Sequence, residues 1–311
     1  MTGTAVLLMG PTATGKTEIA IELHRRFPCD IISVDSALVY RGMDIGTAKP
    51  DPETLRRVPH QLIDIRDPED SYSAGDFVRD ARAAIARSHA AGRVPLLVGG
   101  TMMYFRALTQ GIAKLPQADP ALRAAIDAEA AARGWPALHE ELAAVDPAAA
   151  ARIKPNDSQR IQRALEVYRA SGRPLTEWQQ SAATNSDGVN YLRIGLNIEP
   201  RRLLHERIEA RLDDMVAQGF AEEVARLRAR PGLTADSPSM RSVGYRQFWR
   251  FLDGEYDLDE ARQRALYATR QLAKRQITWL RSERDILILD PLEPGAVDAI
   301  SALLAQKLVH N

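Results

Sequence analysis

The chain has 311 residues, 45% hydrophobic and 26% charged, and its 41 basic residues balance 41 acidic ones. That length allows two domains with a sizeable core, and the zero net charge argues against a protein that holds nucleic acid by a general basic excess. The single cysteine, Cys29, excludes a disulfide framework and a cysteine-based zinc site; beside an apolar run it reads as a small buried hydrophobe. No stretch approaches the roughly 18 apolar residues of a membrane span. Nothing at the N-terminus resembles a secretion signal, so a soluble, cytoplasmic protein with no membrane partner is expected.

Residues 5–9 form an apolar run that predicts a buried strand, and Ile19, Ala20 and Leu23 then recur at helical spacing. Between them Gly10, Pro11, Thr12, Ala13, Thr14, Gly15, Lys16 and Thr17 spell G-x-x-x-x-G-K-T. In that pattern glycine lets the backbone turn around an anion, successive N–H groups and a helix N-terminus point at its oxygens, and the lysine adds full charge. The Thr17 hydroxyl is placed to coordinate a Mg²⁺ shared with the phosphates. The loop therefore reads as a site for a di- or triphosphate, with nucleotide (ATP) binding as the motif's plainest meaning and the identity left open.

Further strands are predicted at 31–34, 62–65 and 96–98, with helices over 16–26 and 76–90. Strands alternating with helices predict an α/β fold, a P-loop type parallel sheet flanked by helices. Ligands of such sheets bind beyond the carboxyl ends of the strands. Three of those ends carry chemistry: the phosphate loop, Asp35 with Ser36, and Thr101 after Gly99 and Gly100. Asp35 can hold Mg²⁺ or act as a general base, or simply cap a turn. Thr101 can donate to an oxygen at the same rim, or cap the helix that contains Tyr104 and Phe105.

The pattern changes after Pro116. Residues 119–150 are alanine-rich and helical in pattern, with six acidic and two basic residues. Asn156 and Asp157 look like an N-cap for a helix over 158–170, and 181–190 reads as a loop. A strand over 191–198 re-enters the sheet, followed by helices at 201–229 and 259–282. The chain is thus divided into a core, 1–115 plus 191–311, and an inserted all-helical domain, 116–190. Two segments are locally basic: 152–173 has six basic and two acidic residues, and 270–284 has five basic residues and only Glu283. Arg270, Lys274, Thr278 and Arg281 form one helical stripe beside an inward apolar stripe of Leu266, Ala273, Ile277 and Leu280. The scarcity of carboxylates there favours phosphate contact over a merely solvated face. The four tryptophans read as packing residues, and the histidines show no metal-ligand spacing.

Over its whole length the chain resembles the bacterial tRNA dimethylallyltransferases (tRNA isopentenyltransferases). The matching strings are GPTATGKT at 10–17, SVDSA at 33–37, YRGMDIGTAKP at 40–50, PHQLID at 59–64, GGTMMY at 99–104, NDSQR at 156–160, RALEVY at 163–168, SVGYRQ at 242–247 and ATRQLAKRQ at 268–276. Together these ordered strings are far more specific than a lone phosphate loop, and no motif position departs from the pattern. The resemblance implies transfer of a dimethylallyl group from dimethylallyl diphosphate to N6 of the adenosine 3′ of the anticodon, in tRNAs reading codons that begin with U. The loop would then hold a prenyl diphosphate with Mg²⁺. Asp35 would take the N6 proton and Thr101 would hydrogen-bond at the reacting centre. The segments that meet the tRNA anticodon stem-loop would be Asp35, Ser36, Ala37 and Leu38; Gln159, Arg160, Ile161, Gln162 and Arg163; Met240, Arg241, Ser242, Val243, Gly244 and Tyr245; and Ala273, Lys274, Arg275, Gln276, Ile277, Thr278, Trp279 and Leu280. Thr101 and Arg123 would join them, and the enzyme would act as a monomer.

Two rival enzymes share the cradle. A P-loop nucleotide kinase would need an arginine-rich lid, which the acidic insertion does not resemble. A prenyltransferase acting on free AMP or ADP would need no RNA grip and would leave the insertion and both basic segments without a purpose. A non-catalytic RNA-binding module would leave Asp35 idle.

Overall fold

The computed structural model describes residues 3–113, 115, 116, 119–181 and 188–308. Packing divides the chain into two units, Met1–Thr109 with Ser186–Asn311, and Gln110–Asn185.

The first unit opens with β1 (Thr4–Met9), α1 (Lys16–Arg26), β2 (Cys29–Val34), α2 (Pro52–Arg57), β3 (His60–Gln61), α3 (Ala74–Ala90), β4 (Val94–Gly99) and α4 (Met102–Gln110). The second unit contains α5 (Pro120–Arg133), α6 (Trp135–Val145), α7 (Pro147–Ala150), α8 (Ser158–Ser171) and α9 (Leu175–Gln180). The first unit then resumes with β5 (Asn190–Leu196), α10 (Arg201–Ala217), α11 (Phe220–Arg228), α12 (Tyr245–Leu252), α13 (Leu258–Ser282), β6 (Ile286–Leu289) and α14 (Ala296–Leu308).

The six strands form one parallel sheet in the order β3-β2-β4-β1-β5-β6. β1 is buried along its full length, as expected of a strand covered on both faces. Its side chains alternate between two cores. Ala5, Leu7 and Met9 pack with Phe77, Leu97, Tyr104 and Ile208, whereas Val6 and Leu8 pack with Ile19, Leu23, Leu96 and Ile300. This central strand delivers the phosphate loop, with the ends of β2 and β4 in register beside it: Met9 pairs with Gly99, and Gly99 with Val34.

The strand expected at 62–65 is not formed. β3 stops at Gln61, because Leu62 and Asp64 take positive φ values of 65° and 54° and turn the chain out of the sheet. Asp64 is held there by the nearly buried Lys49 ammonium, 2.5 Å away. The helix expected over 201–229 is two helices, α10 and α11, separated at Gln218 and Gly219. β6 adds a sheet edge that the sequence reading does not contain.

Among its described residues the second unit's regular elements are all helices. Its core is built from Ile126, Leu138, Leu142, Ile161, Leu165 and Val167. Aspartates cap three of its helices: Asp119 accepts from Ala121 and Leu122, Asp146 from Ala149, and Asp157 from Arg160, each satisfying N–H groups that a helix start leaves open. Of the predicted loop at 181–190, residues 182–187 lie outside the described residues. No described helix is long and apolar enough to cross a membrane.

Candidate active site

The phosphate loop is braced from several sides. Gly15 sits at φ 82°, the left-handed region that an L side chain resists, immediately before α1 begins at Lys16. Ala13 takes φ 64° without that freedom, a conformation that surrounding contacts must enforce. Those contacts are visible. Arg207 of α10 donates to the Ala13 carbonyl at 2.8 Å, the Thr14 hydroxyl donates to the Pro11 carbonyl at 2.9 Å, and the Thr12 N–H donates to Gln276 Oε1 at 3.0 Å.

Lys16 folds over the same loop, its ammonium donating to the Pro11 carbonyl at 2.6 Å. Desolvation pushes its pKa down to about 7. Repulsion from Arg211 acts in the same direction, opposed by attraction to Asp35 and Glu18. Thr17, one residue on, makes no side-chain hydrogen bond among the described residues and faces the same cleft.

Across the cleft, at the end of β2, Asp35 uses Oδ1 to accept from the Ala37 and Leu38 N–H groups at 2.8 and 3.2 Å. That is the turn cap which the sequence allows, and it occupies one oxygen. Oδ2 has no partner among the described residues. Thr101 does not cap α4 with its hydroxyl. Instead Oγ1 accepts from the Ser36 N–H at 3.1 Å, tying the end of β4 to the turn after β2. Asp35 and Thr101 are thus brought together, and both line the cleft.

The cleft has two joined chambers. One, of about 830 Å³, is lined by Lys16, Thr17, Asp35, Lys49, Arg207 and Arg211. The other, of about 450 Å³, is walled by Ile208, Leu212, Met215, Leu272 and Trp279, with Asp35 and Thr101 at its edge. Asp35, Thr47, Arg211, Met215 and Gln276 line both. A polyanion suits the first chamber. A flat or apolar group suits the second, and the carboxylate lies on their common wall.

Arg207 and Arg211 are cationic groups that the sequence reading missed. They sit four residues apart on α10, each directly preceding a member of the buried stripe Ile208 and Leu212. That spacing of four is the signal that puts them on one face of the helix, where Arg207 is exposed and Arg211 half-buried.

The groups present fit a magnesium ion of the kind held by a substrate's phosphates. Such an ion takes hard oxygen donors and needs only one or two from the protein. The uncommitted Thr17 hydroxyl, lining the first chamber, is such an oxygen. No cluster of three or more His, Cys, Asp or Glu among the described residues could hold a metal by itself.

The residues expected to meet RNA divide sharply by exposure. Ile161, Met240, Gly244, Tyr245, Ala273, Gln276, Ile277 and Leu280 are buried, and of these Gly244, Tyr245 and Gln276 line the second chamber. Gln159, Arg160, Ser36, Arg241, Lys274, Arg275 and Thr278 are exposed, while Ala37, Leu38, Arg123, Gln162, Arg163, Ser242, Val243 and Trp279 are half-buried.

The basic segments are less free than their sequence suggests. Arg270 is paired with Glu209 and Arg281 with Glu199, carboxylates that α10 and its approach supply from about 60 to 80 residues away. In the helical unit Arg160 pairs with Asp157, Arg169 with Glu129 and Glu141, and Arg173 with Glu177. Arg123 and Arg163 both bind the fully buried Glu166. Burial works against the Glu166 charge, but hydrogen bonds from those two arginines outweigh it and hold the carboxyl below its usual range. Among the described residues Lys154, Lys274 and Arg275 make no ion pair. The open cations are therefore fewer than the sequence count.

The model of the family described as IPP transferase matches residues 38–283. A "tRNA dimethylallyltransferase" of Alkalilimnicola ehrlichii is 61% identical over 284 residues, covering 90% of this chain and 88% of that one. One from Thioalkalivibrio sulfidiphilus is 57% identical over 301 residues, covering 96% and 94%. The solved structure of a tRNA isopentenylpyrophosphate transferase from Bacillus halodurans superposes with a TM-score of 0.71 at 37% identity, covering 99% of each chain. A phosphate loop facing a carboxylate across a two-chambered cleft, carried on a sequence this similar over nearly its whole length, belongs to the IPP transferase family.

Proposed function

We propose that this chain transfers a dimethylallyl group from dimethylallyl diphosphate to N6 of the adenosine 3′ of the anticodon in tRNAs reading codons that begin with U. The observation that carries the reading is Asp35, with one carboxylate oxygen anchoring a turn and the other uncommitted on the wall between the polyanion chamber and the apolar chamber. A donor with its diphosphate against Lys16, Arg207 and Arg211 would point its prenyl carbon at that wall. An adenine turned out of its stack would enter from the other side, at an unstacking cost of a few kcal/mol.

In the transfer the N6–C1 bond forms as the C1–O bond of the donor breaks. The diphosphate departs with the bonding pair, and the N6 proton passes to Asp35. The amine is a poor nucleophile because its lone pair is delocalised into the ring; it becomes acidic enough for a carboxylate only as positive charge builds on nitrogen. Thr101, fixed by Ser36, would hydrogen-bond at the same centre. The Thr17 hydroxyl would hold a Mg²⁺ ion brought by the substrate's phosphates, and that ion would supply charge neutralisation to the leaving group. Lys16, Arg211 and the backbone N–H groups of residues 13–17 oppose the same developing charge.

Lys16 gives this reading a pH signature. Its pKa is lowered to about 7 in the free protein, so much of it is neutral at pH 8, and an arriving diphosphate favours the protonated form. Donor binding at pH 8 is expected to take up protons, and affinity to fall as pH rises above about 7. Calorimetric titration in two buffers of different ionisation enthalpy measures the uptake, which should vanish in Lys16→Ala. Uptake that persisted in the variant would assign the proton elsewhere.

The exposed face of α13 and the helical unit would supply the grip on the stem-loop. With so many arginines already paired, the salt dependence should be shallower than the basic count implies. Lys274→Ala and Arg275→Ala are each expected to reduce the slope of log affinity against log salt by about one unit, whereas Arg270→Ala should change it by much less. Filter binding of an anticodon stem-loop over a salt series measures this. Equal effects for all three would mean that the Arg270–Glu209 pair opens to RNA.

A further inference from the structure

The buried side chain of Gln276 joins two pieces of the cleft that come from different strands. It lies on α13 and is 8% exposed. Its Oε1 accepts from the Thr12 N–H of the phosphate loop at 3.0 Å, and its Nε2 donates to the Gly100 carbonyl, at the end of β4, at 2.9 Å. Both partners fix the amide in one orientation, since a backbone N–H requires the oxygen and a carbonyl requires the nitrogen.

The close approach is built from the other side as well. A Cβ at position 100 would stand 2.4 Å from Gln276 Nε2 and 3.2 Å from the Gly10 carbonyl oxygen. Only glycine lets the strand end, the loop and the amide meet. Thr101, the next residue, is hydrogen-bonded to the turn that carries Asp35. One amide therefore sets the spacing between the loop that would hold the leaving group and the rim that would hold the amine.

We propose that Gln276 is a positioning residue for prenyl transfer rather than an RNA contact. Its amide is committed on both sides, to Thr12 and to Gly100, and would act through them. This rests on the reading of the phosphate loop as the donor site. Transfer between two bound substrates is steep in geometry, so a shift of about 1 Å in one of them can cost about 10²-fold in rate.

Gln276→Met keeps the volume and removes both hydrogen bonds. Its single-turnover rate constant with both substrates saturating, read with dimethylallyl diphosphate and an anticodon stem-loop RNA, is expected to fall by about 10- to 100-fold. Stem-loop affinity should stay within about threefold of the parent. A rate constant that did not change would reduce Gln276 to a stabilising side chain, since loss of folded protein lowers the amplitude and not the rate constant. A loss confined to stem-loop affinity would make it an RNA contact instead. Gly100→Ala displaces the amide while leaving Gln276 in place and should slow the same step. In the double variant the two losses should overlap rather than multiply, because both break one bridge; multiplicative losses would contradict the proposal. Failure of the unsubstituted protein to transfer any prenyl group would be a failure of the donor-site reading, separate from these outcomes.

Discussion

Asp35→Asn is expected to lower the single-turnover rate of prenyl transfer by about 10²–10⁴, the usual worth of a positioned general base. The substitution suits the geometry. The Ala37 and Leu38 N–H groups bond to Oδ1, and an asparagine carbonyl can accept both, so the turn and the tie from Thr101 to Ser36 should persist. What changes is the second oxygen, which becomes an NH₂ group with no capacity to take a proton. Stem-loop affinity should stay within a few-fold. Rapid-quench measurement with saturating substrates separates the chemical step from binding, and an unchanged rate constant would remove Asp35 from the role of base.

Lys16→Ala is expected to cost about 10²–10³ in the same rate constant, the range seen when one preorganised donor to a developing anion is removed. The lysine is needed most as the diphosphate departs, because negative charge on the leaving oxygen grows through the transition state. Rate should therefore fall more than donor affinity. Arg207 and Arg211 remain in the chamber and continue to attract the ground-state anion. A loss confined to donor affinity, with full rate at saturation, would show a lysine that anchors without assisting departure.

The sheet was readable because buried parallel strands are continuous apolar runs and the phosphate loop has a fixed spacing. Residues 5–9 and the helix over 16–26 emerge almost residue for residue as β1 and α1. The run at 62–65 looked no different locally. Its fate was decided by positive φ at Leu62 and Asp64 and by the tie to Lys49, which are tertiary events. The apolar stripe Leu266, Ala273, Ile277 and Leu280 is buried as its helical spacing predicts.

Charge was the least legible property. Counting along 270–284 finds one carboxylate, Glu283, yet Glu209 and Glu199 reach that helix from distant positions. The same folding places Arg207 against the Ala13 carbonyl, 194 residues away in sequence. Local sequence also could not decide whether Asp35 caps a turn or serves chemistry, because the alternatives are not exclusive: one carboxylate oxygen makes the turn and the other is left for the cleft. Gln276 reads as one more polar residue on a basic helix face, and only the fold reveals that it turns inward to hold the phosphate loop.

The proposed pairing is a prenyl donor in this phosphate loop with an RNA acceptor beside it. Its most direct test supplies the protein with Mg²⁺ and radiolabelled dimethylallyl diphosphate, and offers an anticodon stem-loop RNA with adenosine 3′ of the anticodon, free AMP or ADP, or ATP alone. The expected result is label in the stem-loop RNA, none in the free nucleotides and no hydrolysis of ATP. Label transferred to AMP or ADP but not to the RNA, or turnover of ATP without prenyl transfer, would contradict the account.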